Sequence, residues 1–163
     1  MTDNEFTERL TAMRETLYRV CYSQLSAGSD RDDAVQEALL KAWSTRHRLR
    51  DERFMQTWVI RILINECHNI QRRRMRETPL DELPERPAPQ EADGELHDAL
   101  FRLDEALRLP VVLHYIEGYR VEEIARMLRL PKGTALWRMS KARKELRSML
   151  GEDVSAPCEC NSK

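Results

Sequence analysis

The chain has 163 residues with 27 Lys+Arg against 28 Asp+Glu, so its formal net charge is −1 although 34% of its residues are charged. A hydrophobic fraction of 41% and a mean hydropathy of −0.65 are too apolar for a disordered tail and too polar for a membrane protein. No apolar run nears the roughly 18 residues of a spanning helix, and the start, MTDNEFTERL, is acidic and amphipathic rather than a secretory signal, so a soluble cytoplasmic chain with no direct membrane insertion is expected.

In chain order, Phe6, Leu10, Met13, Leu17 and Cys21 recur at helical spacing and predict a first helix. After the SAGSD break, Val35, Ala38, Leu39, Ala42 and Trp43 predict a second, with Asp30 as its N-cap and Asp33 in its first turn. A third helix is expected over about residues 54–75. At 100° per residue its Val59, Ile60, Leu63, Cys67 and Ile70 share one face. Arg61, Asn65, His68 and Arg72 share the opposite face, flanked by Trp58 and Asn69, and that face runs on into Arg73, Arg74 and Arg76. A solvated helix face usually mixes signs. This one is almost purely Arg and Asn, the residue types that hold phosphates and read base edges, so a nucleic-acid surface is favoured over an ordinary solvated face.

The net charge conceals strong segmentation. Residues 46–76 carry nine basic and three acidic side chains, residues 77–98 one and eight, and residues 120–147 nine and three, giving blocks of +6, −7 and +6. The acidic block holds Pro79, Pro84, Pro87 and Pro89 within eleven positions, which no helix or central strand tolerates. It predicts an extended linker over residues 77–98, between a domain at 1–76 and a smaller one at 99–150, with a flexible tail at 151–163. The fold class expected is all-α: two small helical domains joined by this acidic, Pro-rich linker.

In the second domain Val121, Ile124, Ala125 and Leu128 predict a short amphipathic helix, LRLPKG breaks it, and Ala135, Met139, Ala142 and Leu146 form the core face of another, opened by Pro131 or Thr134. The second helix carries Arg138, Lys141, Arg143, Lys144 and Arg147, a helix-turn-helix reading. Pro110 predicts a kink or a late helix start ahead of it. Catalysis finds no support: there is no Gly-rich phosphate loop, and the four His lack ligand spacing. No cofactor, metal or small-molecule substrate is expected. Cys21 and Cys67 read as reduced core thiols, whereas the CEC of Cys158 and Cys160 lacks the second pair of a closed zinc site.

DDAVQEALLKAW, TWVIRILINECHNIQRRR and VVLHYIEGYRVEEIARMLRLPKGT with RMSKARKEL resemble, in order, the two domains of bacterial extracytoplasmic-function (ECF) sigma factors. The resemblance implies a transcription initiation factor that binds core RNA polymerase and directs it to promoter DNA, with an anti-sigma factor as a further partner. It places polymerase docking on Asp33, Gln36, Glu37, Leu40 and Trp43. It places melting and reading of the −10 element on Asn65 and Asn69 of the third helix, where Trp58, Arg61, His68, Arg72 and Arg73 also lie. The loop Leu49, Arg50, Asp51, Glu52, Arg53 and Phe54 then pockets a flipped base, with Asp51 where the family often has Gly. The −35 element falls to Lys132, Thr134, Leu136, Trp137, Arg138, Ser140, Lys141 and Lys144. Where the family commonly has a basic residue and Ser, this chain has Leu136 and Trp137, which leaves Trp137 open between DNA contact, partner surface and partial core. The linker reads either as threading through the polymerase or as a tether. An operator-binding regulator and a redox or metal sensor acting through CEC are the competing functional readings.

Overall fold

The computed structural model describes residues 1–77 and 94–151. The four-proline segment and the Cys158/Cys160 pair fall outside the described residues. Within them every regular element is helical: α1 (Asp3–Ala12), α2 (Arg14–Tyr22), α3 (Gly28–Ser44), α4 (Met55–Glu77), α5 (Gly94–Arg102), α6 (Glu105–Val111), α7 (Val121–Leu128) and α8 (Lys132–Met149). Short 3-10 turns at Arg46–Arg48 and Glu52–Phe54 join α3 to α4, and a π-helical turn at Val112–Ile116 follows α6. Both ends of the segment expected to be linker are helical, since α4 runs to Glu77 and α5 starts at Gly94.

The predicted first helix is two. Thr7 and Thr11 turn their hydroxyls back onto the carbonyls of Asp3 and Thr7, each at 2.8 Å, a bond that bends helices. Immediately beyond, the Met13 N–H donates to the Leu10 carbonyl at 3.2 Å, tightening the turn and ending α1. The interruption is a single residue, so Phe6, Leu10, Met13, Leu17 and Cys21 still form one buried face.

Asp30 is not an N-cap. The helix already starts at Gly28, and the Asp30 carboxylate lies inside it, taking Arg74 of α4 in a two-pronged pair at 2.7 and 2.9 Å. This pair and Lys41–Glu66, at 2.8 Å, staple α3 to α4 at two levels. Between the staples Ala34, Val35, Ala38 and Ala42 pack on Val59, Ile60, Leu63 and Cys67 in one buried cluster. The small side chains of α3 let the two helix backbones approach closely. Cys21 and Cys67 meet in the same core with their sulfurs 3.6 Å apart, both as free thiols. Burial and that contact push the Cys67 thiol far up, which keeps it protonated and inert.

In the second domain Pro110 lies buried within α6. It is therefore not a late start: without its N–H the ladder loses a bond, and two residues later the backbone widens into the π turn. Helix α7 ends at Arg129, whose φ of +55° is left-handed, and the Leu130 N–H closes back onto the Ala125 carbonyl at 2.8 Å. Pro131 then starts α8, whose Ala135, Met139 and Ala142 are buried as expected.

The two domains share a seam. Leu103, Leu107, Val111 and Ala142 make a small core of the second domain's own. Leu109, Leu113, Ile124 and Met127 instead join the cluster of the first domain. Replacing Leu63, fully buried at 0% exposure, by Ala will lower unfolding stability by about 2–5 kcal/mol in denaturant titrations. Leu40→Ala, at 57% exposure, will stay within about 0.5 kcal/mol of the parent.

Candidate nucleic-acid and polymerase interface

Three outward faces hold the residues singled out above. On α3, Asp33, Gln36, Glu37, Leu40 and Trp43 are all exposed, and their spacing sets them along one face opposite the buried alanines. Leu40 and Trp43 are 57% and 37% exposed and form the apolar centre of this face. Trp43 is also anchored: its ring meets Phe6 at 6.0 Å, and the Arg46 guanidinium lies 4.2 Å above it, itself held by both oxygens of Asp3 at 2.8 and 3.1 Å. Glu37 and Glu66 flank Lys41 at 3.5 and 2.8 Å. Their carboxylates raise its pKa, so it stays charged beneath the acidic rim.

The second face belongs to α4 and the loop before it. Asn65, Asn69, Arg72 and Arg73 are exposed and Arg61 and His68 half-buried, so the predicted polar stripe does look outward. Asn69, Arg72, Arg73, Arg76 and Glu77 line a shallow groove at its end. Arg74 leaves this stripe for Asp30. Trp58 is half-buried, with its edge toward Phe6 at 6.5 Å, and packs on the domain's own core.

The loop is preordered by its aspartate. The Asp51 carboxylate accepts the Arg53 backbone N–H at 3.0 Å and the Arg53 guanidinium at 2.8–3.1 Å. A Gly there would supply neither bond. Glu52 pairs with the N-terminal amino group and stands 3.9 Å from Arg9. Phe54 is 41% exposed between two guanidiniums, Arg53 at 6.0 Å and Arg126 of α7 at 5.2 Å. Leu49 packs inward and Arg50 is exposed. Glu52 and Arg53 line a cleft together with Tyr119 of the second domain, whose hydroxyl is pushed up to about 12 by burial.

The third face is α8. Lys132 at its start is clasped by Glu122 of α7 at 2.6 Å, which holds that carboxyl below its usual range. Leu136, Trp137, Ser140, Lys141 and Lys144 are exposed, and Thr134 and Arg138 are half-buried. Trp137, at 60% exposure, is not core. The Lys141 ammonium lies 5.1 Å from its ring, making one knob that is flat, apolar and cationic. Gln71, Glu105, Glu117 and Arg126, which join the two domains, were not legible from sequence, because pairs 34 and 98 positions apart leave no periodic signal. Among the described residues no group of three His, Cys, Asp or Glu is placed to hold a metal ion, and no helix is long and apolar enough to cross a membrane.

Comparison with known proteins places both halves of the chain in one family. Residues 10–77 match the family model for sigma-70 region 2, and residues 93–146 match sigma-70 region 4. The chain is 31% identical over 140 residues to the ECF RNA polymerase sigma factor SigM of Mycobacterium tuberculosis, covering 83% of this chain and 71% of that one. It is 26% identical over 152 residues to RNA polymerase sigma factor SigV of Bacillus subtilis, covering 90% and 92%. The sigma factor RpoE of Bartonella quintana, solved in complex with the anti-sigma factor NepR, superposes with a TM-score of 0.78 at 25% identity over 91% of this chain and 98% of that one.

The Asp51 clamp has a pH signature. Hydrogen bonds from Arg53 hold its carboxyl below the ordinary 3.8. A carboxyl depressed by folding keeps its bonds above that value and loses them only as pH falls through the lower, folded one. In an NMR titration the Arg53 amide and Nε resonances will therefore hold steady down to about pH 4 and move only below the ordinary aspartate range. A midpoint at or above 3.8 contradicts the clamp.

Proposed function

The chain belongs to the ECF sigma factors, transcription initiation factors that bind core RNA polymerase and direct it to promoters, and we propose how its three faces divide that work. The exposed strip Asp33, Gln36, Glu37, Leu40 and Trp43 docks on the polymerase, with Leu40 and Trp43 as apolar centre and the acids as rim. Asn65 and Asn69 read unpaired bases of the −10 element. Arg61, His68, Arg72 and Arg73 hold the strand there, and the loop Leu49 to Phe54 receives an extruded base, with Trp58 supporting the helix from within. Extrusion costs a few kcal/mol of stacking, which contacts to an ordered loop and an Asn edge offset. Lys132, Thr134, Arg138, Ser140, Lys141 and Lys144 hold α8 on the −35 duplex, and Leu136 and Trp137 meet thymine methyl groups or sugar.

The observation that carries this reading is the match to both domains in order together with three separate outward faces. An operator-binding regulator needs only α7 and α8 and leaves the strips on α3 and α4 without a purpose. The protein works without catalysis of its own and in the cytoplasm, where polymerase and promoter are. An anti-sigma factor is a further partner, as one is for the Bartonella relative.

Charge reversal of Asp33 and Glu37 to Arg will cut affinity for core polymerase at least tenfold, with the unfolding midpoint unchanged. Retained core binding in a pull-down sinks the docking assignment. Asn65→Ala will slow open-complex formation, scored by permanganate reactivity, more than it weakens binding to duplex promoter. Equal losses in both assays count against base reading. Trp137→Ala will reduce transcription from a promoter with an intact −35 element by about three- to tenfold, the scale of one well-buried aromatic contact. It will leave core binding untouched, and an unchanged promoter output removes Trp137 from the DNA contact.

A further inference from the structure

The leading residues of a recognition helix are the ones that touch base edges in the major groove. In α8 those residues present carbon rather than hydrogen bonds. Lys132 is drawn back onto Glu122 at 2.6 Å, and Gly133 has no side chain. Ala135 is buried, and Thr134 and Arg138 are half-buried. The side chains that project from the first two turns are therefore Leu136 and Trp137, at 47% and 60% exposure. Further along, Arg143 is turned aside onto the Tyr115 hydroxyl at 3.1 Å, and Lys141 is shared between the Trp137 ring at 5.1 Å and Glu145 at 4.0 Å.

The surroundings of this apolar pair suit a polyanion. By helical spacing Gly133, Trp137, Ser140 and Lys144 fall on one line along the outward face, with Leu136, Ser140 and Arg147 on the line beside it. All are exposed. Glu145 is the one acid of α8, and it is half-buried beside Lys141. Gly133 has open space where a Cβ would stand, so no side chain one turn before Trp137 screens the ring from a groove. One turn after it, the Lys141 ammonium lies against the indole and restricts it. A ring already restricted loses less rotamer freedom when it binds.

What this surface can recognise follows from the chemistry of the groove floor. The base edges there are hydrogen-bond donors and acceptors, with one apolar feature, the C5-methyl group of thymine. Pressing leucine and indole onto an amino group, a ring nitrogen or a carbonyl removes its water and returns no bond, which is unfavourable. Pressing them onto a methyl group removes apolar surface from water on both sides. One contact thus rewards the methyl group and penalises the bare polar edges. Uracil is thymine without that methyl group. 5-Methylcytosine carries the same group at the same ring position while keeping the pairing of cytosine.

We propose that Leu136 and Trp137 make α8 a reader of C5-methyl groups. It selects thymine in the −35 element through the methyl group, and it accepts 5-methylcytosine in place of thymine, so that cytosine-5 methylation of DNA strengthens a site that unmethylated cytosine weakens. The inference rests on the assignment of α8 to the −35 element and goes beyond it in naming the group that is read.

The test uses holoenzyme assembled from the full chain and core polymerase, with −35 duplexes that it selects from a randomised pool. Each thymine of the selected element, on either strand, is replaced by uracil, which removes only the methyl group, and separately by cytosine or 5-methylcytosine opposite guanine. At one position or more, uracil should weaken binding about fourfold, the affinity equivalent of one buried CH₂ group. At the same position 5-methylcytosine should bind about fourfold more tightly than cytosine. Both ratios should fall close to one for Leu136→Ser with Trp137→Ala, with the unfolding midpoint confirming that the surface variant is folded. A selected element without thymine on either strand, or uracil equal to thymine at every position, overturns the methyl reading, and so do ratios that persist in the double variant. Failure of the −35 assignment itself looks different: the pool selected by the parent then shows no upstream sequence preference, and the inference falls with it.

Discussion

Everything in this molecule bears on α4. Its 3.6-residue period divides one helix into a face of Val59, Ile60, Leu63, Cys67 and Ile70 that disappears into the core and a face of Asn65, Asn69, Arg72 and Arg73 that cannot. The buried face also holds α3 in place, and through it the strip proposed to dock on polymerase. The two assigned activities are thereby fixed on one rigid pair of helices. That rigidity has a physical cause in the alanines of α3 and the two ion pairs, Asp30–Arg74 and Lys41–Glu66, that set the register of the helices. Each pair has one carboxylate nearly buried and one cation half in solvent, so its value lies more in specifying alignment than in net stability.

Charge is used differently in the two halves of the interface. On α4 and α8 several cations, Arg72 and Arg73 on one and Lys144 and Arg147 on the other, are exposed, a form that suits a polyanion through counterion release. Where carboxylates occur beside them they are committed locally: Asp51 to Arg53, Glu122 to Lys132, Glu52 to the N-terminus. These pairs shape the loop and the turn without cancelling the field of the Arg and Lys beyond them. They are exposed, so they order local geometry far more than they stabilise the fold.

The helices of the two domains were legible because each has a strong apolar period, and the helix-turn-helix because Pro131 and the LRLPKG break leave little choice of register. The break at Met13 was not, because the apolar face passes through it without a phase change and only the back-bonding of Thr7 and Thr11 betrays it. Asp30 was misread as a cap for a related reason. An acid near a helix start satisfies the local rule equally well whether it caps or pairs, and its partner Arg74 is 44 positions away. The outward faces of α4 and α8 followed from periodicity, whereas that of α3 came from the family resemblance, since periodicity had set Trp43, 37% exposed, among the apolar residues of its helix. The family resemblance gave them their meaning, since an exposed Leu and Trp do not by themselves name a polymerase.

The seam shows most sharply where periodicity stops informing. Ile124 read from sequence as core of the second domain, and core it is, but with Leu109, Leu113 and Met127 it belongs to a cluster that the first domain completes. A domain of about 55 residues is near the lower limit for an independent core, and this one splits its apolar side chains between an inner set and a shared one. Cover from the first domain therefore completes an apolar core that the second domain does not close by itself.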